Sequence, residues 1–217
     1  MYRYILFDLD GTLTDSKEGI MNCFKYAVEK FGDTPPSDDV LLTFIGPPLK
    51  QSFGKIGYDE AKTELAIQYY RERYEPIGKY ENAPVPGGVE MCRRLKEKGY
   101  RMAVASSKPQ HMCVDICTHF GFAPYLDYIV GPSSHNNWTK TDVIREAMRL
   151  LGVKESEKSS VLMVGDRMYD VHGATECGID CVGVEFFGYA APGELKDAGA
   201  IAVVATTDEL EAFVLAH

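Results

Sequence analysis

The chain has little of what marks several broad functions. Among 217 residues there is one tryptophan and only five histidines, and the six cysteines form no C-x-x-C pair. Cys113 and Cys117 are four apart with His111 and His119 nearby, yet reduced, buried thiols explain such spacing better than a metal knot. Positive charge is scarce: 23 Lys and Arg face 32 Asp and Glu, a formal net charge of −9. That deficit argues against a nucleic acid polymer or an anionic membrane as partner. It leaves room for a small anionic substrate, because a metal ion and one or two local cations reverse the field inside a cleft. No apolar run is long enough to span a bilayer. An apolar strand and an acidic cluster begin almost at once, so no secretory leader is read and a cytoplasmic protein is expected. Nothing in the sequence marks an oligomeric state.

Hydrophobic residues make up 45% and charged residues 25%, enough for one large domain or for a domain carrying a smaller insert. Short β-rich runs alternate with amphipathic stretches, the pattern of a parallel sheet covered by helices. Strands are expected at Tyr4–Asp8, Arg101–Ala105, Tyr128–Val130, Val161–Val164, Cys181–Val184 and Ala202–Val204. Helices are expected at Gly87–Lys98, Gln110–Phe120, Lys140–Leu151, Asp170–Cys177 and Thr207–Leu215. Residues 17–78 read instead as helices only, broken at Thr34-Pro35-Pro36, Gly46-Pro47-Pro48 and Gly57-Tyr58, with a turn-rich return at 81–88. The expected fold class is α/β: a Rossmann-like parallel sheet with helices on both faces, formed by residues 1–15 and 84–217. A helical cap, residues 16–83, is inserted in it and reads as a lid over the site.

The most informative run is Ile5-Leu6-Phe7-Asp8-Leu9-Asp10-Gly11-Thr12-Leu13-Thr14-Asp15-Ser16. An apolar strand ends in two carboxylates, and carboxylates two apart in an extended chain project to one side. Their repulsion calls for a compensating divalent cation with oxygen ligands. In Val104-Ala105-Ser106-Ser107-Lys108-Pro109 a strand ends in two hydroxyls, where open α/β sheets gather ligands. Ser106 is placed there to hold an oxyanion, and Lys108 is read as a surface residue or as one that helps to position the loop. Lys140 opens a helix, where the macrodipole disfavours a cation, so a functional reason is sought. In Val164-Gly165-Asp166-Arg167-Met168-Tyr169-Asp170 another strand ends in an acid, Asp166, suited to Mg²⁺. Asp170 reads as a partner behind the metal or an occasional ligand, and His172 as structural.

These four places in this order resemble the haloacid dehalogenase-like superfamily of hydrolases, over essentially the whole chain. The D-x-D-G-T-L-x-D-S run at 8–16, Ser106, Lys140 and the G-D-x-x-x-D run at 165–170 carry the resemblance. The insert looks like a C1-type cap, and the chain looks most like the phosphoglycolate phosphatase group, with Phe44-Ile45-Gly46-Pro47-Pro48-Leu49 resembling a segment of that group. The resemblance implies a Mg²⁺-dependent phosphatase of small phosphorylated metabolites, acting through an aspartyl-phosphate. Asp8 would be the nucleophile and Asp10 the acid and base. Asp8, Asp166 and the backbone carbonyl of Asp10 would hold Mg²⁺. Ser106, Lys140 and backbone N–H groups near Leu9, Asp10 and Ser107 would bind the phosphoryl oxygens. Ile45, Gly46, Pro47 and Pro48 in the cap would set substrate choice.

Rivals follow from the same residues. A 5'-nucleotidase or a pyrophosphatase of the same family shares every motif. A sugar phosphomutase shares core and cap but has a cap pattern of basic residues not found here. A phosphonate hydrolase needs a cap lysine, for which Lys17, Lys25, Lys30, Lys50 and Lys55 stand available. Dehalogenating members lack an acid at the position of Asp10. Outside enzymes, a receiver-like phospho-switch also carries an aspartate on a parallel sheet, but it has no insert and no counterpart of Asp10.

Overall fold

The computed structural model describes residues 1–133 and 138–217. The chain divides into two compact units, Met1–Thr14 with Pro84–His217, and Asp15–Ala83.

In the first unit, six parallel strands lie in the order Tyr128–Val130, Arg101–Ala105, Tyr4–Phe7, Val161–Gly165, Asp180–Val184, Ala202–Val204. Tyr4–Phe7 is central, with Tyr4 opposite Arg101 on one side and Val161 on the other. Alternate residues of an extended strand face opposite ways. Ile5 and Phe7 therefore join one apolar layer, with Met91, Cys92 and Leu95 of helix Gly88–Glu97, Cys113, Ile116 and Cys117 of helix Gln110–His119, and Leu210 and Val214 of helix Thr207–Ala216. Tyr4 and Leu6 join the other, with Val143, Ile144 and Ala147 of helix Lys140–Leu151 and Val171 and Ala174 of helix Met168–Cys177. This is the expected α/β sheet with helices on both faces. Burying each large apolar side chain contributes about 1.5–3 kcal/mol, and a strand buried on both faces is uniformly apolar up to its end.

Element ends differ from the sequence reading by a residue or two, for local reasons. The first strand stops at Phe7, before Asp8. The Leu9 carbonyl accepts the backbone N–H groups of Thr12, Leu13 and Thr14 and the Thr14 hydroxyl. That coil, not a continued strand, carries Asp10. Helix Met168–Cys177 starts before Asp170, because the Asp170 carboxylate accepts the Arg167 N–H and caps the helix from within its first turn. The short helix Glu194–Asp197 was not expected; four residues are too few for a periodic signal.

The second unit is helical: Lys17–Glu29, Asp38–Leu42, Leu49–Lys55 and Glu60–Tyr74. Phe24 is the hub of its core, with ring centroids 5.1 Å from Phe44, 4.9 Å from Phe53 and 5.1 Å from Tyr70. Arg73 grips Glu81 through its two terminal guanidinium nitrogens at 2.6 and 2.8 Å. Residues 45–48 form the turn between its second and third helices, beside Phe44. All six cysteines of the chain are buried and unbridged. Among the described residues, no helix is long and apolar enough to cross a membrane.

Candidate active site

The site is assembled at the carboxyl ends of the three middle strands. Alternation puts Asp8 on the same side as Tyr4 and Leu6. That face is covered by helices Lys140–Leu151 and Met168–Cys177, whose amino-terminal turns carry Lys140 and Asp170. The Asp8 N–H is anchored on the Val164 carbonyl at 2.9 Å.

Lys140 is the hub. Its Nζ donates to Asp8 Oδ1 at 2.6 Å and to the Ala105 carbonyl at 2.8 Å, and pairs with Asp170 Oδ1 at 2.6 Å. Burial by itself would lower the pKa of this ammonium. The Asp170 and Asp8 carboxylates outweigh burial and hold it above its ordinary value. The awkward start of a helix with a lysine is thereby explained: Thr139 and Asp142 form a capping box that completes the helix end, while the lysine side chain reaches away to the carboxylates.

One oxygen each from Asp8, Asp166 and Asp170 lie within 4.8 Å of one another. Asp166 is buried, and burial first, then the charges of Asp170 and Asp8, push its carboxyl well above the usual range. Asp170 is also raised, chiefly by burial, against the opposing pull of Lys140. Thr12 donates its hydroxyl to Asp166 Oδ1 at 3.4 Å, while Asp166 Oδ2 is buried with no hydrogen-bond partner. An orphaned buried carboxylate oxygen inside an all-oxygen cluster fits a hard divalent cation such as Mg²⁺. Asp170, expected behind the metal or as an occasional ligand, is one of the three clustered acids. Gly11 makes the approach possible. Its φ is +81°, and a Cβ there would lie 2.1 Å from Asp166 Oδ2 and 2.8 Å from the Tyr189 ring.

Asp10 lies outside that cluster. The expectation that Asp8 and Asp10 project together assumed an extended chain, and the coil after Phe7 removes that premise. Asp10 Oδ2 instead pairs with Lys108 Nζ at 3.0 Å, and Asp10 Oδ1 is buried without a hydrogen-bond partner. Lys108 is therefore not a surface lysine: its side chain is 8% exposed. Its sequence neighbours gave no sign of this, since the partner is 98 residues away. Ser106 is buried, with its N–H on the Val130 carbonyl and its Oγ accepting the Lys108 N–H at 3.4 Å. Ser107 is exposed. Both follow strand Arg101–Ala105, the neighbour of Tyr4–Phe7, after which the coil brings Leu9 and Asp10. Ile45, Gly46, Pro47 and Pro48 belong to the helical unit; Gly46 has φ +97°. His172 is exposed.

The family profile of the haloacid dehalogenase-like hydrolases matches residues 5–184. A 5'-nucleotidase of Pseudomonas aeruginosa is 39% identical over 197 residues, which cover 90% of this chain and 87% of that one. The tyrosine-protein kinase PtkA of Mycobacterium tuberculosis is 35% identical over 211 residues, covering 96% and 71% of the two chains. The crystal structure of a predicted phosphatase from Clostridium acetobutylicum superposes with a TM-score of 0.91, at 42% identity over the full length of both. The chain belongs to the haloacid dehalogenase-like hydrolase family and is an enzyme of the phosphoric monoester hydrolase class.

Proposed function

We propose that the protein is a Mg²⁺-dependent phosphatase of small phosphate monoesters that works through an aspartyl-phosphate on Asp8. The observation that carries the reading is the Asp8–Lys140–Asp170 chain, in which one ammonium pins one oxygen of Asp8. The second Asp8 oxygen is then the one that attacks phosphorus, in line with the departing ester oxygen. Asp8, Asp166 and Asp170, with the Asp10 backbone carbonyl, would hold the metal. When bound, it supplies charge neutralisation between the carboxylate and the phosphate and stabilises the transition state. Lys140, the Ser106 hydroxyl and the N–H groups of Leu9, Asp10 and Ser107 bind the phosphoryl oxygens. Asp10 protonates the leaving alcohol and then takes the proton of the attacking water. Its unpartnered Oδ1 supports that role.

The helical unit acts as the lid, with residues 45–48 selecting the substrate. The group resembled in the sequence favours phosphoglycolate. The 39% identity to a protein named 5'-nucleotidase favours nucleoside 5'-monophosphates as a second reading. Both are small and anionic, in keeping with a cytoplasmic enzyme. The test is release of inorganic phosphate from a panel holding phosphoglycolate, nucleoside 5'-monophosphates, sugar phosphates and pyrophosphate, with p-nitrophenyl phosphate as reference. Many turnovers on one class of monoester are expected. A single stoichiometric phosphorylation would make the protein a receiver, and phosphate delivered to protein tyrosine without free phosphate would make it a kinase.

A further inference from the structure

We propose that Lys108 is a positioning residue of the reaction: it clamps one oxygen of Asp10 so that the other is presented to the leaving group. The inference rests on the reading of Asp10 as acid and base. Four observations lead to it.

The lysine is buried for a reason. Its Nζ lies 3.0 Å from Asp10 Oδ2, with the two side chains 8% and 15% exposed. A lysine in water keeps its ammonium hydrated and its many rotamers open. Giving up both requires a compensating partner, and Asp10 is that partner. The Asp10 carboxylate is, in turn, used asymmetrically. Oδ2 is taken by Lys108, while Oδ1 is buried and has no hydrogen-bond partner. Buried polar atoms are normally satisfied, so an orphan on the coil beside the nucleophile points to a group supplied by a ligand.

The backbone that aims the lysine is itself fixed. The Lys108 N–H donates to Ser106 Oγ at 3.4 Å, and the Lys108 carbonyl accepts from Cys113 Sγ at 3.3 Å. Gly131 presses on the same carbonyl so closely that a Cβ there would be 2.3 Å away. The Gln110 side chain pins Gly131 by accepting its N–H at 2.7 Å. Finally, the site already has a separate cation for the nucleophile, because Lys140 serves Asp8 and Asp170. Each carboxylate of the reaction has its own lysine.

The chemistry balances without further groups. In the first half-reaction a proton on Asp10 Oδ1 passes to the ester oxygen as its bond to phosphorus breaks. In the second, Oδ1 takes a proton from the water that attacks the aspartyl-phosphate, and the bond between phosphorus and Asp8 breaks. Lys108 keeps its own protons throughout.

The experiment compares an alkyl ester, glycerol 2-phosphate, with p-nitrophenyl phosphate, whose leaving group needs no proton. The full chain with Mg²⁺ is assayed as wild type, Lys108→Met, Lys108→Arg, Asp10→Asn and the Asp10→Asn/Lys108→Met double variant. Lys108→Met should lower kcat on the alkyl ester at least about tenfold and on the aryl ester less than about threefold, with both KM values held within about threefold. Lys108→Arg should recover much of the alkyl rate. The double variant should be no slower than Asp10→Asn alone, since the two residues act as one unit. If circular dichroism shows Lys108→Met unfolded, Lys108→Gln takes its place in the same comparison. A rise in KM with kcat unchanged, or equal losses of kcat on both esters, would overturn the proposal, making Lys108 a phosphate contact or a structural residue. A wild type that turns over neither ester would remove the phosphatase reading and the proposal with it; an active wild type with a Lys108 effect blind to the leaving group removes the proposal alone.

Discussion

Replacing Lys140 by methionine keeps most of the stem and deletes the ammonium that joins Asp8 to Asp170. Three interactions go with it, at 2.6, 2.6 and 2.8 Å, all in a side chain that is 9% exposed. Removing one partner of a buried ion pair costs about 3–5 kcal/mol, because the other charge is left uncompensated. At roughly 2–4 °C per kcal/mol for a chain of this size, the melting midpoint in chelator should fall by about 10 °C at pH 8. The loss should depend on pH, with a sign that follows from Asp170. Its carboxyl is already raised by burial, and Lys140 is the main group pulling it down, with the Arg167 N–H helping. Without the lysine it rises further. A carboxyl whose folded pKa lies above its unfolded value adds stability at low pH, which is lost as pH rises through the folded pKa. The variant should therefore lie close to wild type near pH 5 and fall away toward pH 8. Heat melts followed by circular dichroism, in chelator at both pH values, check this. A deficit at pH 8 below about 1 kcal/mol, or one that shrinks as pH rises, would refute the account of Lys140 as the compensating charge.

Asp8→Asn keeps the shape of the nucleophile and removes its charge, so kcat on p-nitrophenyl phosphate should drop at least about a thousandfold; a tenth of wild-type turnover would exclude covalent catalysis by Asp8. Chelation should abolish turnover, and Ca²⁺ should inhibit, because it takes more oxygen ligands at longer distances and engages the attacking oxygen; steady-state rates in metal-stripped, Mg²⁺ and Ca²⁺ buffers decide. Gly11→Ala forces a Cβ against Asp166 Oδ2 at φ +81°, so Mg²⁺ affinity measured by calorimetry should weaken while the fold seen by circular dichroism persists. Substitutions at Ile45, Gly46, Pro47 or Pro48 should reorder the substrate panel without shifting that Mg²⁺ affinity; an unchanged ranking would remove the cap from substrate choice.

The parts of the site legible in the sequence were those whose meaning lies in a local pattern. Asp8 and Asp166 each end an apolar run, and an apolar run that stops at an acid is a strand delivering a ligand to one edge of a sheet. Lys140 was legible because its position conflicts with the helix dipole. What stayed hidden depends on partners far along the chain. Lys108 looks like any polar loop residue until the strands Tyr4–Phe7 and Arg101–Ala105 are laid side by side. The separation of Asp10 from Asp8 depends on the coil around the Leu9 carbonyl, a backbone feature that the alternation rule does not contain. Asp170 was legible as an acid of the site, but its place in the cluster depends on how helix Met168–Cys177 is capped.

The central position of Tyr4–Phe7 has a consequence for how the enzyme is made. The strand that leads into the nucleophile is synthesised before both of its neighbours in the sheet, which begin at Arg101 and Val161. At about 5–20 residues per second, Val161 is polymerised roughly 8–30 s after Tyr4. Residues 15–83, built from local helical turns, are complete long before that. The nascent chain thus carries an apolar strand that lacks both neighbours until Arg101 is reached and one of them until Val161, the condition under which a polypeptide recruits chaperones or aggregates. Asp8 is translated well before Lys140 and Asp166, so the site is also a readout of whether synthesis ran through the strands around it.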